Sequence, residues 1–125
     1  MARISIKPIE PLEMEFADGT VKEALFNNEA FIFFAEEFGD INEFIKTEAK
    51  DKPYDFLAKI LYCGMKVMDR SITLGEAKSI VIMGGETLMS EITNLLLDNF
   101  ILTADESAKK KFSKEMQKVN KLLQG

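Results

Sequence analysis

A run of phenylalanines at helical spacing, in residues 29–45, constrains this chain more than any other feature. Six of the ten phenylalanines fall within residues 26–44. Phe31, Phe34 and Phe38 recur three and four residues apart, which places them on one face of a helix. Rings of this size dominate the energetics of a hydrophobic core. The run therefore predicts core helices, with the alternative that some rings line a groove for another chain.

The limits of this aromatic helix are marked by residues with defined backbone roles. Asn27 or Asn28 can cap its N-terminus. Gly39 can adopt the left-handed conformation that ends a helix. Asp40 can then cap a second, short helix, with Glu43 three residues later. The stretch therefore predicts a helix, a glycine stop and a second helix.

A β-hairpin is predicted upstream, within residues 4–26. Apolar and acidic residues alternate over residues 12–16, which is the two-residue period of a strand. Asp18 and Gly19 form a strong turn signal. Residues 20–26 can then return as the second strand.

The segment after the aromatic helices predicts a charged connection and then a long helix. Residues 47–52 are mostly charged. Pro53 suits the first turn of a helix, and apolar residues form a wide stripe through residues 53–68. Gly64 lies in this stripe, where its lack of a side chain would let a neighbouring helix approach closely. Cys63 lies in the same stripe, which predicts a buried, unreactive thiol.

Two more helices are predicted, with glycines between them. Thr73 and Glu76 have the spacing of a capping box at the start of the first. Gly84 and Gly85 predict its end, and residues 86–102 form the next helix. The residues expected to face the core are Leu74, Ala77, Ile80, Val81, Leu88, Ile92, Leu95, Leu96 and Phe100.

Four methionines occupy helical positions in the middle of the chain: Met65, Met68, Met83 and Met89. Methionine is flexible and polarizable, so it fills gaps in cores and also recurs on surfaces that bind varied apolar segments. Core packing is the favoured interpretation, and an adaptable binding surface is the alternative.

The C-terminal residues 104–125 differ from the rest of the chain in charge. They hold six lysines and three acids, a net charge of +3, so the preceding residues carry −8 of the chain total of −5. Thr103 and Glu106 have a capping spacing, which predicts that a separate helix begins here. Four apolar residues in it follow a narrow coiled-coil seam: Phe112, Met116, Val119 and Leu123. This seam can dock on the chain's own domain, or it can meet a second subunit or a partner helix.

The composition excludes several classes of function. The acidic net charge argues against a general nucleic-acid binder. The single Cys63 cannot form an internal disulfide. The absence of His removes a His/Cys zinc site and any Ser-His or Cys-His nucleophile pair. Neither a calcium-loop spacing of acids nor a phosphate-binding glycine loop occurs. We therefore expect no enzyme, no cofactor and no metal.

Two alternative functions stay open. Residues 74–92 have the size of a helix-turn-helix, which is typical of nucleic-acid-binding regulators. The second helix of this motif has no Lys or Arg, whereas a recognition helix offers cations to phosphates. The lysines of residues 104–125 are attached to an acidic body that would repel phosphates. We therefore expect no nucleic-acid partner. The other alternative is a generic adaptor protein of a phage or mobile element.

These elements predict an α+β fold that is predominantly α: an N-terminal hairpin, a compact bundle of four to five helices and a C-terminal amphipathic helix. Residues 1–103 form one domain, with the hairpin in residues 4–26 and the helical body in residues 28–102. Residues 104–125 form the basic C-terminal helix. The chain has no signal-peptide pattern and no apolar run of membrane-spanning length, so we expect no membrane partner.

Two stretches resemble the small tail assembly chaperones of long-tailed, siphovirus-type phages and prophages of Gram-positive bacteria. The first is the aromatic helix ending in EEFGDINEFI, with the hairpin before it. The second is PYDFLAKILYCGMKVMDRSITLGEAKSIVIMGG. In this second stretch, the apolar part of the first helix ends near the pattern L-Y-x-G-M-K. A second helix follows, and its capped start has the pattern T-L-x-E-A. The resemblance covers residues 12–100 and leaves out the Lys-rich tail.

The resemblance implies a non-catalytic protein that acts in the cytoplasm of the bacterial host. Members of the family coat the tape measure protein, a long, helix-rich and partly apolar chain that sets tail length. They keep it soluble, help gather tail tube subunits around it, and are absent from the finished tail. Many are made in two forms, the longer one by a ribosomal frameshift, and this chain would be the short form.

Such a role needs an adaptable apolar surface. The aromatic and methionine-bearing helices carry more apolar surface than one small core requires. The candidate protein-binding residues are Phe31, Phe34, Phe38, Met65 and Met68. The seam of residues 104–125 is the candidate for self-association, in a homo-oligomer arranged along the client.

Overall fold

The computed structural model describes residues 9–101 of the chain, with side chains for residues 9–96. The predictions for residues 4–8 of the hairpin segment, for the side chain of Phe100, and for the basic helix and its seam in residues 104–125 lie outside what is described.

The described chain is an antiparallel hairpin followed by helices, which confirms the predicted α+β, mostly α fold. The hairpin consists of β1 (Leu12–Glu15) and β2 (Val21–Ala24). The helices are α1 (Asn28–Glu37), α2 (Ile41–Lys46), α3 (Glu48–Asp51), α4 (Pro53–Met68) and α5 (Leu74–Ile101).

The hairpin turn forms where the sequence predicts it. Gly19 has φ +88°, in the left-handed region that favours glycine. The Thr20 amide donates to Asp18 Oδ1 at 2.9 Å, an Asx-type turn contact. Met14 and Ala24 are buried on one face of the hairpin, which packs β2 against α4.

The predicted caps and glycine stop of the aromatic segment are confirmed. Asn27 Oδ1 accepts a hydrogen bond from the Ala30 amide at 3.1 Å, which caps α1. Gly39 has φ +107° and follows the last turn of α1. Asp40 Oδ1 accepts from the Asn42 amide at 2.9 Å and caps α2. The sequence therefore predicts the limits of both helices.

The connection after α2 contains a helical turn that the sequence does not predict. Residues 47–52 were expected to be a charged connection, yet α3 forms within them. Ala49 is completely buried, and Glu48 forms an ion pair with Lys59 of α4. Packing against α4 thus stabilises a helical turn that is too short to be stable by itself.

Helix α4 lies at the centre of the molecule and has the predicted bounds. It contacts α5, β2, α1 and α3. Because other elements pack on several sides of α4, its buried residues are not confined to one stripe of the helix surface. They are Phe56, Leu57, Ala58, Ile60, Leu61, Cys63, Gly64 and Met65.

Gly64 permits a close approach, but the neighbour is not a helix as predicted. A Cβ at this position would lie 2.7 Å from Cε1 of the Phe26 ring. The Leu25 amide donates to the Gly64 carbonyl at 2.9 Å. The segment between β2 and α1 therefore crosses α4 at its glycine, and the Phe26 ring fills the space where a side chain would be.

Within α5 the first helical segment stops at Gly85 and a second one follows, as the glycine pair predicts. Gly85 has φ +61° and ψ −154°, and helical backbone resumes directly after it. The start of α5 is capped as predicted, because the Glu76 amide donates to Thr73 Oγ1 at 3.2 Å. The prediction that Leu74 faces the core is wrong, since its side chain is exposed in the first turn.

The core side of α5 also includes Met89, for which core packing was the favoured interpretation, and Thr93, which the sequence pattern missed. Met89 and Thr93 are completely buried. The Thr93 hydroxyl donates to the Met89 carbonyl at 2.8 Å, so the buried polar group is satisfied inside the helix. The predicted core residues Ala77, Ile80 and Val81 are buried, as are Ile92 and Leu96. Leu88 and Leu95 are half-buried.

Candidate protein-binding groove

The five residues predicted to form a protein-binding surface do not share one exposed face. Phe34 is 1% exposed and Met65 is 3% exposed, so both belong to the core. Phe31 and Phe38 are half-buried against it. Met68 is 46% exposed at the end of α4. The predicted surface is therefore corrected at Phe34 and Met65, which cannot touch a partner while the domain is folded.

Contacts within the domain explain why the aromatic face is covered. The Phe34 ring meets the Phe38, Phe44 and Phe56 rings edge-to-face, at centroid distances of 5.2, 5.4 and 6.5 Å. The Phe38 ring also lies 6.0 Å from the Tyr62 ring. Edge-to-face pairs of this kind stabilise a core beyond simple burial. The aromatic residues of α1 thus join α1 and α2 to α4.

An apolar groove lies elsewhere, between the hairpin and α5, and we call it the hairpin–α5 groove. Its widest section, of about 600 Å³, lies between Phe16 and the first turns of α5. A second section of about 530 Å³ runs between β1 and the middle of α5. A third, of about 490 Å³, lies between residues 10–13 and the later turns of α5.

The three sections adjoin one another along the hairpin and α5, because neighbouring sections share lining residues. The first and second both contain Phe16, Ile80 and Met83. The second and third both contain Glu13 and Glu91. The groove therefore follows β1 on one side and several turns of α5 on the other, which is a shape suited to a length of polypeptide.

The floor of the groove is apolar, and one of its side chains is strongly exposed. Met83 is 68% exposed, the largest exposed fraction among the large apolar residues described. Ile80 is buried below it, and Phe16 and Leu88 are half-buried beside it. Exposed methionine next to partly buried rings and leucines offers an adaptable apolar contact.

The rim of the groove is acidic. Among the described residues that line it, one base faces six acids: Glu10, Glu13, Glu15, Asp18, Glu76 and Glu91. That base, Lys22, already lies 3.7 Å from a Glu76 oxygen. The field along the groove therefore favours a segment that carries Lys or Arg.

The hairpin register adds to this negative field. Glu13 lies directly opposite Glu23 across the two strands. Like charges at opposed positions destabilise a strand pair. A cationic residue bound near Glu13 would relieve that repulsion.

One acid of the groove rim has a shifted pKa, since the hydrogen bond from the Thr20 amide lowers the pKa of Asp18. Cys63 is 2% exposed, which confirms that its thiol is buried, and this burial raises the pKa of the thiol to about 12. A hydrogen bond from Lys66 lowers the pKa of Glu37, and the Tyr62 hydroxyl also donates to Glu37, at 3.2 Å. No group of three or more Cys, Asp or Glu residues in the described part of the chain could hold a metal ion.

The region of the predicted helix-turn-helix has a different geometry. Within residues 74–101 the backbone bends at Gly85 without the separate turn that joins the two helices of that motif. In residues 9–101, no helix has both the length and the apolar character needed to cross a membrane.

Comparisons with protein-family models, with curated proteins and with solved structures give no match to this chain.

Sequence reasoning did not find the groove, although it singled out two of its components. It recognised the alternating strand that contains Met14 and Phe16, and it counted Met83 among four methionines of interest. Neither pattern indicates that β1 lies beside α5, because about 60 residues separate them in the chain. The acidic rim likewise becomes visible only when the strand and the helix are brought together.

Proposed function

We propose that this chain is a non-catalytic tail assembly chaperone, which binds apolar helical segments of a phage tape measure protein and keeps them soluble in the cytoplasm of the bacterial host. It would also help to gather tail tube subunits. The observation that carries the proposal is the hairpin–α5 groove, whose exposed Met83 lies over an apolar floor.

The dimensions of the groove support a polypeptide client. An amphipathic helix binds by laying its apolar face into a hydrophobic groove, and this groove extends along several turns of α5. The acidic rim adds a preference for clients with Lys or Arg beside the apolar face. The resemblance of residues 12–100 to tail assembly chaperones suggests that this client is the tape measure protein.

The nucleic-acid alternative has less support. Phosphate binding needs cations, and the groove presents six acids with one paired lysine. A regulator of this kind would have to bind through the basic residues 104–125, and such binding would weaken steeply as salt is raised.

Co-expression tests the proposed function with a matched pair of variants. The client is the product of the long, helix-rich reading frame that the proposal places beside this one. Met83→Glu puts a charge into the groove, whereas Ile82→Glu puts the same charge on the neighbouring residue, which is 58% exposed and does not line the groove. Soluble client recovered with this chain is the measurement.

The expected result is that Met83→Glu loses the client and Ile82→Glu retains it. If both variants retained the client equally, the client would not bind in the groove. If the unaltered chain leaves the client insoluble, the chaperone function itself is contradicted.

A further inference from the structure

We infer that the outer edge of β1 binds an extended segment of another polypeptide, in which apolar and basic residues alternate. The segment adds a third strand to the hairpin, along the second and third sections of the groove, and leaves the widest section open. The inference goes beyond the proposed function, because it rests on backbone hydrogen-bonding groups of β1 and not on the apolar floor that a helical client would contact. Either one can fail while the other holds.

The pairing of the two strands shows which backbone groups of β1 point outward. The Phe16 amide donates to the Thr20 carbonyl at 2.8 Å, which continues the register of β1 and β2 by one pair. In an antiparallel ladder, hydrogen-bonded pairs alternate with pairs that form no bond between the strands. Met14 therefore bonds to β2, whereas the amides and carbonyls of Glu13 and Glu15 point away from it.

The two edges of the hairpin differ in what lies beside them. β2 packs against α4, and just after it the Leu25 amide donates to the Gly64 carbonyl at 2.9 Å. On the other edge, the consecutive residues 12–17 line the second section of the groove. Side chains of a strand alternate between its two faces, so a space that contacts consecutive residues lies at the edge. Within residues 9–101, no group outside the hairpin bonds to the Glu13 or Glu15 backbone.

The outer face of the hairpin favours basic side chains on an added strand. Glu13 and Glu15 are exposed on this face, and Glu23 lies opposite Glu13. An added strand would place its own outward side chains next to these acids, where opposite charges stabilise a strand pair and like charges destabilise it. A second copy of β1 would bring the same acids together, so the charge argues for a basic segment and against self-pairing.

The inner face favours apolar side chains on the same strand. Met14 is buried on this face, and Leu12 and Phe16 are half-buried. Met83 and Leu88 of α5 line the other side of this section of the groove. Inward side chains of an added strand would lie between these two sets, where apolar groups are removed from water. Because successive side chains point to opposite faces, the segment that fits alternates apolar and basic residues.

Addition of a strand would also stabilise the hairpin. A sheet of two four-residue strands is marginal by itself, and a third strand with one apolar face strengthens it. In recognition of this kind, backbone hydrogen bonds supply affinity and alternate side chains supply specificity. One site can therefore accept several segments that share the alternating pattern.

Peptide binding to the full-length protein tests the inference. The probe is a fluorescently labelled peptide of alternating valine and lysine with blocked ends, and fluorescence anisotropy measures its affinity. The same peptide with glutamate in place of lysine should bind at least about tenfold more weakly. No binding of the valine–lysine peptide, or equal binding of both peptides, would overturn the inference.

N-methylation of the peptide separates strand pairing from charge attraction. Backbone amides of an extended peptide alternate in direction, so the lysine amides and the valine amides point to opposite edges. Methylation of the set that faces β1 should weaken binding about tenfold, because it removes the donors, and methylation of the other set should leave binding unchanged. The sensitive set is that of the lysines if the added strand is antiparallel to β1. An equal effect of both sets would contradict strand addition.

A matched pair of protein variants assigns the site to β1. Glu13→Pro removes the outward amide together with one charge, whereas Glu13→Gln removes the same charge and keeps the amide. Proline is tolerated where an edge amide points away from the sheet, so the ladder to β2 is retained, and circular dichroism checks the fold of both variants. Affinity should be about tenfold lower for Glu13→Pro than for Glu13→Gln. Equal affinities of the two folded variants would overturn the assignment, and the methylated peptides test it on the unaltered chain.

Discussion

At the scale of single residues, Gly64 is the position where the hairpin side of the molecule meets α4. Its carbonyl accepts the Leu25 amide, and its missing side chain makes room for the Phe26 ring. Phe26 is 2% exposed, so it has little freedom to move away. A methyl group added here would overpack the core.

We therefore expect Gly64→Ala to lower the free energy of unfolding by about 1–3 kcal/mol. Urea denaturation followed by circular dichroism measures this change. Gly75→Ala is the control, because Gly75 lies in the first turn of α5 with an open environment. There alanine should be neutral or stabilise by up to about 1 kcal/mol. A neutral Gly64→Ala would contradict the packing described between Phe26 and α4.

The second prediction at the scale of single residues concerns Glu37 and the pH dependence of stability. Its pKa is held below the ordinary value of 4.5, chiefly by the hydrogen bond from Lys66. A carboxylate with a lowered pKa in the folded state stabilises the fold above the unfolded pKa, and this stabilisation is lost as pH falls through the folded pKa. The stabilisation is small because the pair is partly solvated.

Thermal unfolding of Glu37→Gln across a pH series measures this contribution. The variant should melt below the unaltered protein at pH 7, and the difference should vanish as pH falls well below 4.5. Glu36→Gln, at an exposed neighbour, should match the unaltered protein throughout. A difference for Glu37→Gln that persists at acid pH would show that the ion pair is not its cause.

At the scale of elements, the bend of α5 at Gly85 decides where the later turns of that helix lie beside β1. Its φ of +61° and ψ of −154° belong to a region that only glycine adopts readily. The same glycine separates the turns that pack near Phe16 from those that reach Glu10.

We expect Gly85→Ala to cost about 1–3 kcal/mol of unfolding free energy, because alanine is strained at this backbone geometry. If α5 instead straightens, helical circular dichroism should rise and client binding should fall, as the two halves of the groove lose their alignment. Unchanged stability together with unchanged binding would contradict the role given to the bend. Gly75→Ala again serves as the control within the same helix.

The sequence predicts elements well where the determining contacts are local. The turn at Gly19, the caps at Asn27 and Asp40 and the bounds of α4 all depend on residues within a few positions of each other. The break at Gly85 is predicted for the same reason, because a glycine ends a helix through its own backbone conformation. The sequence does not predict the helical turn α3, because this turn is stabilised by packing of the buried Ala49 against α4 and not by neighbours in sequence.

At the scale of the whole molecule, the aromatic residues of α1 pack in or against the core, and Phe16 is the one aromatic residue among the described residues that line the groove. A wide aromatic face on α1 predicts either a core or a docking surface, and local sequence does not decide between them. The structure resolves this at Phe34 of α1, which is buried against aromatic rings of α2 and α4. The groove depends on the placement of β1 beside α5, which sequence periodicity does not encode.

The methionines provide probes for the central claim, that the chain acts by binding a polypeptide in the hairpin–α5 groove. Met83 is exposed in the groove and the buried Met14 borders it, whereas Met68 is exposed outside the groove and Met65 and Met89 are buried away from it. Methyl signals of methionine-labelled protein, assigned by single Met→Leu variants, therefore distinguish the groove from other surfaces.

The most direct measurement is a titration of labelled, full-length protein with a soluble fragment of the tape measure protein. The account predicts that the Met83 and Met14 methyl signals shift with a common affinity while the Met68 signal stays in place. Shifts confined to Met68, or no shift of Met83 at saturating fragment, would contradict the account.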